Sequence, residues 1–329
     1  MVQVSESSTA TGGRVIAITG AASFLGRKLI AKLLAREDVA KIVAIDIFQV
    51  EHSDPRFCYY KVDLSLPNTG SLLTKIFTKE KVDTLLHLVF IFSLVRRSTL
   101  AHELEAIGTM HLLDACTESG VQRIILRSST MIYGARPQNH FYISEDTPAA
   151  PHASDSFIAD KVEAERQLKQ FSERHPEVST IVLREGTAVG EQANNFFLNW
   201  IRRPLVPLIV GFDPLMQFIH ENDLVQYYLA AVFAKKVEGT LNVVAPGVVR
   251  MSTVLDIMGR KSISVPETVL TAGVSLFWAL QLYSVSPYLL PHMKYPLIAD
   301  GSRAEYTLGV KCRYSSREAV EVLAGNMNQ

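Results

Sequence analysis

An α/β fold built on a doubly wound, mostly parallel sheet of seven strands, with a small C-terminal lobe, follows from three observations. Short continuous apolar runs alternate with segments of helical periodicity through the first half of the chain. Such runs mark strands covered on both faces, and strand–helix alternation joins them in parallel. A glycine-bearing turn separates the first run from the first helix, and the alternation weakens after about residue 186, where prolines gather.

The elements follow in order. RVIAIT (14–19) is an apolar strand, and FLGRKLIAKLLAR (24–36) has helical periodicity. KIVAID (41–46), FCYYKVD (57–63) and TLLHLVF (84–90) read as strands two to four. The stretch 98–119 reads as a helix, RIILRSS (123–129) as strand five, 155–173 as a helix and STIVLR (179–184) as strand six. A helix near 222–235 and a strand at 240–244 are late returns to the sheet. This divides the chain into a lead-in over 1–13, a dinucleotide-type domain over 14–186 with returns at about 218–245, and a lobe mainly over 187–329. Residues 250–300 are apolar and irregular, so the lobe is expected to hold a small-molecule substrate above the carboxyl ends of the strands.

Composition narrows the function. The chain has 329 residues, 48% of them hydrophobic, enough for a real core. Thirty-three Lys and Arg offset thirty-three Asp and Glu, so the basic stripe of a nucleic-acid binder is missing. Cys58, Cys116 and Cys312 lie far apart, without CxxC or zinc spacing, and read as small buried residues in a reducing compartment. No metal site is expected. The polar N-terminus lacks the apolar core of a signal peptide, which makes a cytoplasmic location the expectation. Residues 268–291 carry no charged side chain, and a spanning helix needs about 20 apolar residues. Two prolines interrupt this run, while Leu270, Val274, Phe277 and Trp278 share one helical face, so a buried or ligand-facing helix is expected. A membrane surface is not the expected partner; flotation with liposomes tests that separate hypothesis.

The turn after strand one reads TGAASFLGR (19–27). At such a place backbone N–H groups of a helix start can hold a pyrophosphate. Glycines let the turn close and the phosphates approach. The spacing is Gly20-x-x-Ser23-x-x-Gly26, with Phe24 and Leu25 between the last two. Ser23 replaces the middle glycine and predicts altered phosphate contact. Asp46 closes strand two, 20 residues past Gly26, where an acid accepts from adenosine ribose hydroxyls and repels a 2′-phosphate. That favours NAD. Arg27 pulls the other way, so NADP stays open.

With this Rossmann-type loop in place, the chain resembles the extended short-chain dehydrogenase/reductases, the NAD-dependent epimerase/dehydratase group, over nearly all of 14–325. TGAASFLG resembles the family's Gly-rich loop, and KVDLS places Asp63 and Leu64 where members hold adenine. HLVF (87–90), with Leu88, takes the strand-four position lining the cofactor. RSSTMIYG (127–134) resembles the catalytic-serine segment and puts Ser129 at the active position. FIHENDL (218–224), GTLNVV (239–244) and 300–320 match later signals in order. Phe157 and Lys161 fall on the family's Tyr-x-x-x-Lys.

The resemblance implies hydride transfer between a nicotinamide and a carbon bearing oxygen. Ser129 would hydrogen-bond that oxygen, and Lys161 would hold the nicotinamide ribose and lower the pKa of the tyrosine. Phe157 has no proton to give. Tyr133, Tyr142 and His152 are substitutes by proximity; the plainer reading makes Tyr133 a packed aromatic and the other two loop residues. Glu105 stands where members carry asparagine, and is either a substitute base or a solvated helix residue. Met216 stands where nucleotide-sugar members carry a phosphate-clamping arginine, which points to an apolar alcohol or ketone over a sugar nucleotide.

Two functions follow as expectations. One is an NAD(P)-dependent oxidoreductase or epimerase-like enzyme acting on a hydroxyl or carbonyl carbon, with nucleotide-sugar epimerase/dehydratase as a variant. The other is a cofactor-binding pseudoenzyme with a regulatory or partner-binding role. Members often dimerise through two helices, so a homodimer through 98–119 and 155–173 is also implied.

Overall fold

The computed structural model describes residues 13–89, 102–150, 156–280 and 287–327, leaving out the side chains of 156, 157, 288 and 327. Its centre is a seven-stranded sheet: β1 (Arg14–Thr19), β2 (Val39–Asp46), β3 (Phe57–Lys61), β4 (Thr84–His87), β5 (Arg123–Ser129), β6 (Ser179–Glu185) and, after a long excursion, β11 (Gly239–Val243). The spatial order is β11-β6-β5-β4-β1-β2-β3. Every pair in it is parallel, so the sheet is parallel throughout and not merely for the most part.

Helices cover both faces. On one lie α1 (Phe24–Leu34), α6 (Glu221–Phe233) and α9 (Ser302–Leu308). Leu25, Leu29 and Leu33 of α1 recur at helical spacing and pack with Tyr228 and Val232 of α6 on Ile16 and Ile18. On the other face lie α2 (Thr69–Glu80), α3 (Gly108–Ser119) and α4 (Ser156–Arg174). Their Phe77, Leu112 and Leu168 meet Ala17, Val43 and Leu126. A strand buried on both faces cannot alternate polar and apolar residues, which is why these strands read as continuous apolar runs.

The lobe has its own core of Phe197, Leu198, Ile201, Val206, Phe218, Val254 and Leu323. It is built from α5 (Phe196–Ile201), α7 (Met251–Ile257), α10 (Ser316–Met327) and three small sheets. These pair β7 (Thr187–Val189) with β10 (Phe218–His220), β8 (Leu205–Ile209) with β13 (Lys261–Val265), and β9 (Leu215–Met216) with β12 (Val249–Arg250). The stretch 250–300, expected to be irregular, therefore holds β13, α7, α8 (Glu267–Ala279) and a 3-10 helix over Pro287–Met293.

Two expectations are corrected. None of the thirteen residues of α8 is buried, so it is not the buried helix that its composition implied. Leu270 and Val274 do face a cavity, whereas Val269, Leu276 and Phe277 are at least half exposed. Secondly, the helix expected over 98–119 is described from His102 and opens with a π turn, Glu103–Ile107, before α3. Residues 98–101 and the lead-in before residue 13 lie outside the described residues. Among those described, no helix is long and apolar enough to cross a membrane.

Candidate active site

The glycine loop joins β1 to α1 against the end of β4. Gly20 has φ +69°, and a Cβ there would lie 2.9 Å from the carbonyl carbon of Leu88. At Gly26 a Cβ would come within 2.6 Å of the carbonyl oxygens of Gly20 and Ala21. Both glycines are thus fixed by backbone against backbone. Ser23 is the N-cap of α1: its Oγ accepts from the Gly26 N–H at 3.0 Å. The residue that departs from the glycine pattern spends its oxygen on the helix start.

Beside the loop runs an open groove of about 850 Å³, lined by Gly20, Ser23, Asp46, Leu64, Leu88 and Leu104 among others. Asp46 Oδ2 accepts from the Ala22 N–H at 2.9 Å and Oδ1 from the Phe48 N–H at 3.0 Å, so the carboxylate is oriented by the loop itself. Leu64 and Leu88 form apolar walls, both nearly fully buried. Asp63 stands just outside, its Oδ1 accepting from the N–H and hydroxyl of Ser65. Leu25 does not reach the groove; its side chain is wholly inside the sheet core. Phe24 points elsewhere too, into a small cavity beside Ser129 and Arg127.

Ser129 ends β5 and is nearly buried. Its Oγ accepts from the Met131 N–H at 3.2 Å and caps the 3-10 turn Thr130–Tyr133, which leaves its hydroxyl proton for a ligand in that cavity. Lys161, on the second turn of α4, is 1% exposed. Its Nζ donates to Val89 O at 3.0 Å and stands 2.5 Å from Glu105 Oε2. The π turn rotates Glu105 inward, to 1% exposure. Glu105 is therefore not the solvated helix residue of the plainer reading; it is the counter-ion of Lys161. Burial pulls the Lys161 ammonium below the ordinary lysine range, and Glu105 opposes that pull.

Three buried groups surround this pair that sequence reasoning had not singled out. Arg127 Nε donates to Glu185 Oε1 at 2.9 Å; burial would lower its pKa, but Glu185 holds it above the usual value. His87 lies beneath the groove, its Nδ1 2.7 Å from Thr19 Oγ1 and its Nε2 3.1 Å from Thr109 Oγ1. Thr109 gives its proton to the Glu105 carbonyl, which can only accept, so Nε2 carries the histidine proton and Nδ1 accepts from Thr19. Burial, and then the charge of Lys161, push His87 down to about 3. Strand-end positions at one edge of a parallel sheet are where such groups gather, which is the one signal that would have found them.

The proximity candidates do not converge. The Tyr133 hydroxyl donates to Asn242 Oδ1 and accepts from Arg184, each at 2.8 Å, deep in the protein, and burial raises its pKa. Tyr142 is 60% exposed on a loop. Phe157 sits in the first turn of α4, but its side chain, like all of His152, lies outside the described residues.

The small cavity at Ser129 shares the walls Met131, Gly186, Thr187 and Phe196 with a largely apolar chamber whose space, counted out to open solvent, is about 970 Å³. Met216 lines it beside Leu215, with Trp200, Leu270 and Leu289 opposite. No lysine or arginine lines this chamber among the described residues. His292 does, and burial lowers it to about 4, so it faces the chamber neutral near pH 7.

The sequence model of the NAD dependent epimerase/dehydratase family matches residues 16–244. An uncharacterized protein of Mycobacterium tuberculosis is 26% identical over 315 residues, 94% of this chain and 82% of that protein. A UDP-glucose 4-epimerase of Mycolicibacterium smegmatis is 30% identical over 166 residues, 47% of this chain and 50% of that enzyme. Among solved structures, UDP-glucose 4-epimerase of Thermotoga maritima superposes with TM-score 0.73 at 17% identity, over 95% of this chain and 98% of that one.

Proposed function

The chain belongs to the NAD dependent epimerase/dehydratase family, and from that premise we propose that it is an NAD-dependent oxidoreductase or epimerase-like enzyme acting at a hydroxyl or carbonyl carbon of an apolar substrate. The observation that carries this reading is a largely apolar chamber that adjoins the cavity at Ser129 and is free of lysine and arginine among the described residues. A nucleotide sugar brings two phosphate charges, and leaving them unpaired in such a wall costs more than it gains.

The groove fits a nicotinamide dinucleotide in size and in donor set. Gly20, Ser23 and the start of α1 would face the pyrophosphate, Asp46 the adenosine ribose, and Asp63 and Leu64 the adenine. Such a group, when bound, supplies the two-electron acceptor or donor. Ser129 gives its hydroxyl proton to the substrate oxygen and stabilises charge growing there. Lys161 stands at the position that holds the inner ribose. With Phe157 in place of tyrosine, Lys161 is the acid this reading calls on: burial lowers its pKa from the ordinary lysine value and Glu105 opposes that pull.

A second reading is favoured by the same pair. If Lys161 is only a counter-ion for Glu105, the protein binds the dinucleotide without turning over, as a conformational or partner-binding device. Calorimetric titration with NAD⁺, NADH, NADP⁺ and NADPH is the first test. Binding of the NAD pair, followed by oxidation of an apolar alcohol in a coupled screen, supports the enzyme. Binding with no turnover, even in Phe157→Tyr, supports the binding protein. Absence of all binding overturns both.

A further inference from the structure

Outside the chamber, α8 and the β8–β13 pair form a second, open groove of about 970 Å³, lined by Arg203, Pro207, Val265, Val269, Leu270, Gly273, Val274 and Phe277. Three of these residues, Pro207, Leu270 and Val274, also line the chamber beside Ser129, so α8 is a wall one side chain thick. Around the groove the apolar surface is wide: Leu205 is 49% exposed, Ile263 47%, Val269 60%, Leu276 56%, Phe277 50% and Leu280 57%. Isolated exposed leucines need no explanation, but a contiguous apolar patch on one face marks an interaction site.

The register of β8 and β13 orders the charges. Leu205 pairs with Lys261, Pro207 with Ile263 and Ile209 with Val265. Arg203 lines the groove just before the first strand, and Lys261 opens the second beside Leu205, so two cations stand at one end of the apolar face. The single acid of α8, Glu267, is neutralised by Lys294 at 2.8 Å. An apolar helix with a cationic rim is complementary to an anionic lipid surface.

We propose that α8 and the β8–β13 face dock on an anionic bilayer surface, with Leu276, Phe277 and Leu280 entering the headgroup–acyl boundary and Arg203 and Lys261 meeting lipid phosphates. The helix lies on the membrane and does not span it, since no described helix is long enough to cross. This takes up the separate hypothesis, raised by the charge-free run 268–291, of attachment to a membrane surface. It stands apart from the chemistry of Ser129 and Lys161. A bilayer under α8 also puts apolar solutes one side chain away from the chamber.

The test is co-sedimentation of the full chain with vesicles of phosphatidylcholine alone and of phosphatidylcholine mixed with phosphatidylglycerol. The expected result is binding to the mixed vesicles that weakens as salt rises to about 0.5 M, where screening lengths fall to a few ångströms. Arg203→Gln and Lys261→Gln are expected to lose about fivefold each. Leu276→Ser with Phe277→Ser, at exposed positions that leave the core intact, is expected to lose tenfold or more on both vesicle types. Circular dichroism and Tm equal to the parent confirm that each variant folds. The proposal is overturned if the unmodified chain does not sediment with mixed vesicles. It is also overturned if the Ser variant binds like the parent, or if ultracentrifugation without lipid shows that the same substitutions break a self-associated species.

Discussion

At the scale of single residues, Phe157 and Glu105 are the positions at which the proposed chemistry is tested. Replacing Phe157 with tyrosine restores a proton donor four residues before Lys161, and turnover should rise by ~10²-fold or more if the rest of the site is competent. Steady-state rates with one alcohol substrate measure it. Glu105→Gln removes the charge that opposes burial of Lys161. The lysine pKa then falls further, and the pH profile of any step needing the ammonium shifts to lower pH. The same change leaves a buried cation unpaired and should cost ~3–5 kcal/mol in urea unfolding. Glu105→Leu with Lys161→Met, which removes both charges, should recover most of that loss and none of the activity. His87 gives a stability signature in acid. Its folded pKa, about 3, lies below the ordinary 6.5, so between those values only the unfolded chain binds the proton. Stability should therefore fall by about 1.4 kcal/mol per pH unit on acidification through that window. Denaturation midpoints at pH 7, 6, 5 and 4 would show a flat profile if the ring were accessible to protons.

At the scale of elements, the glycine loop was legible because its physics is local: a strand, a tight turn and a helix start within a dozen residues. Ser23 was legible as a departure but not as a cap, since capping depends on the angle at which α1 leaves the turn. Ser23→Ala should cost ~1 kcal/mol and Ser23→Gly only a few tenths. If the cap is its only task, dinucleotide affinity should survive in the glycine variant, which calorimetry measures. The Glu105–Lys161 pair was not legible, because 56 residues separate its members and a π turn sets which way Glu105 faces. Nor was the exposure of α8. Periodicity says which residues share a helix face; it does not say whether another element covers the opposite face. Leu270 and Val274 followed the expectation, and Phe277, half exposed, did not.

At the scale of the whole molecule, the seven strands were readable because parallel strands carry a continuous apolar signal that turns and helices interrupt; their order in the sheet came with the structure. The chamber was readable only as composition: Pro207, Met216, Leu270 and Leu289 come from four separate segments and meet only in the folded lobe. The chain has two tryptophans, Trp200 in the chamber wall and Trp278 on α8. An apolar ketone titrated into the protein should quench their emission. Met216→Arg should weaken that binding about tenfold, because a cation placed in the wall stays unpaired. A sugar nucleotide that bound the parent more tightly than the ketone would reverse the assignment of substrate class.

The excursion between β6 and β11 has a consequence for how the chamber opens. The chain leaves the sheet at Glu185 and re-enters it at Gly239 on the adjacent strand, in register from Gly239↔Ile181 to Val243↔Glu185. The inserted segment is tethered at both ends to neighbouring strands, and β7 and β10 extend the tether by a further parallel pair. Swinging the lobe away would tear that ladder, so any widening of the chamber is expected at its least anchored wall. That wall is α8, none of whose side chains is buried. Opening there is a local fluctuation of one helix, far cheaper than a domain rotation. Amide hydrogens of α8 should exchange with deuterium orders of magnitude faster than those of β6 and β11.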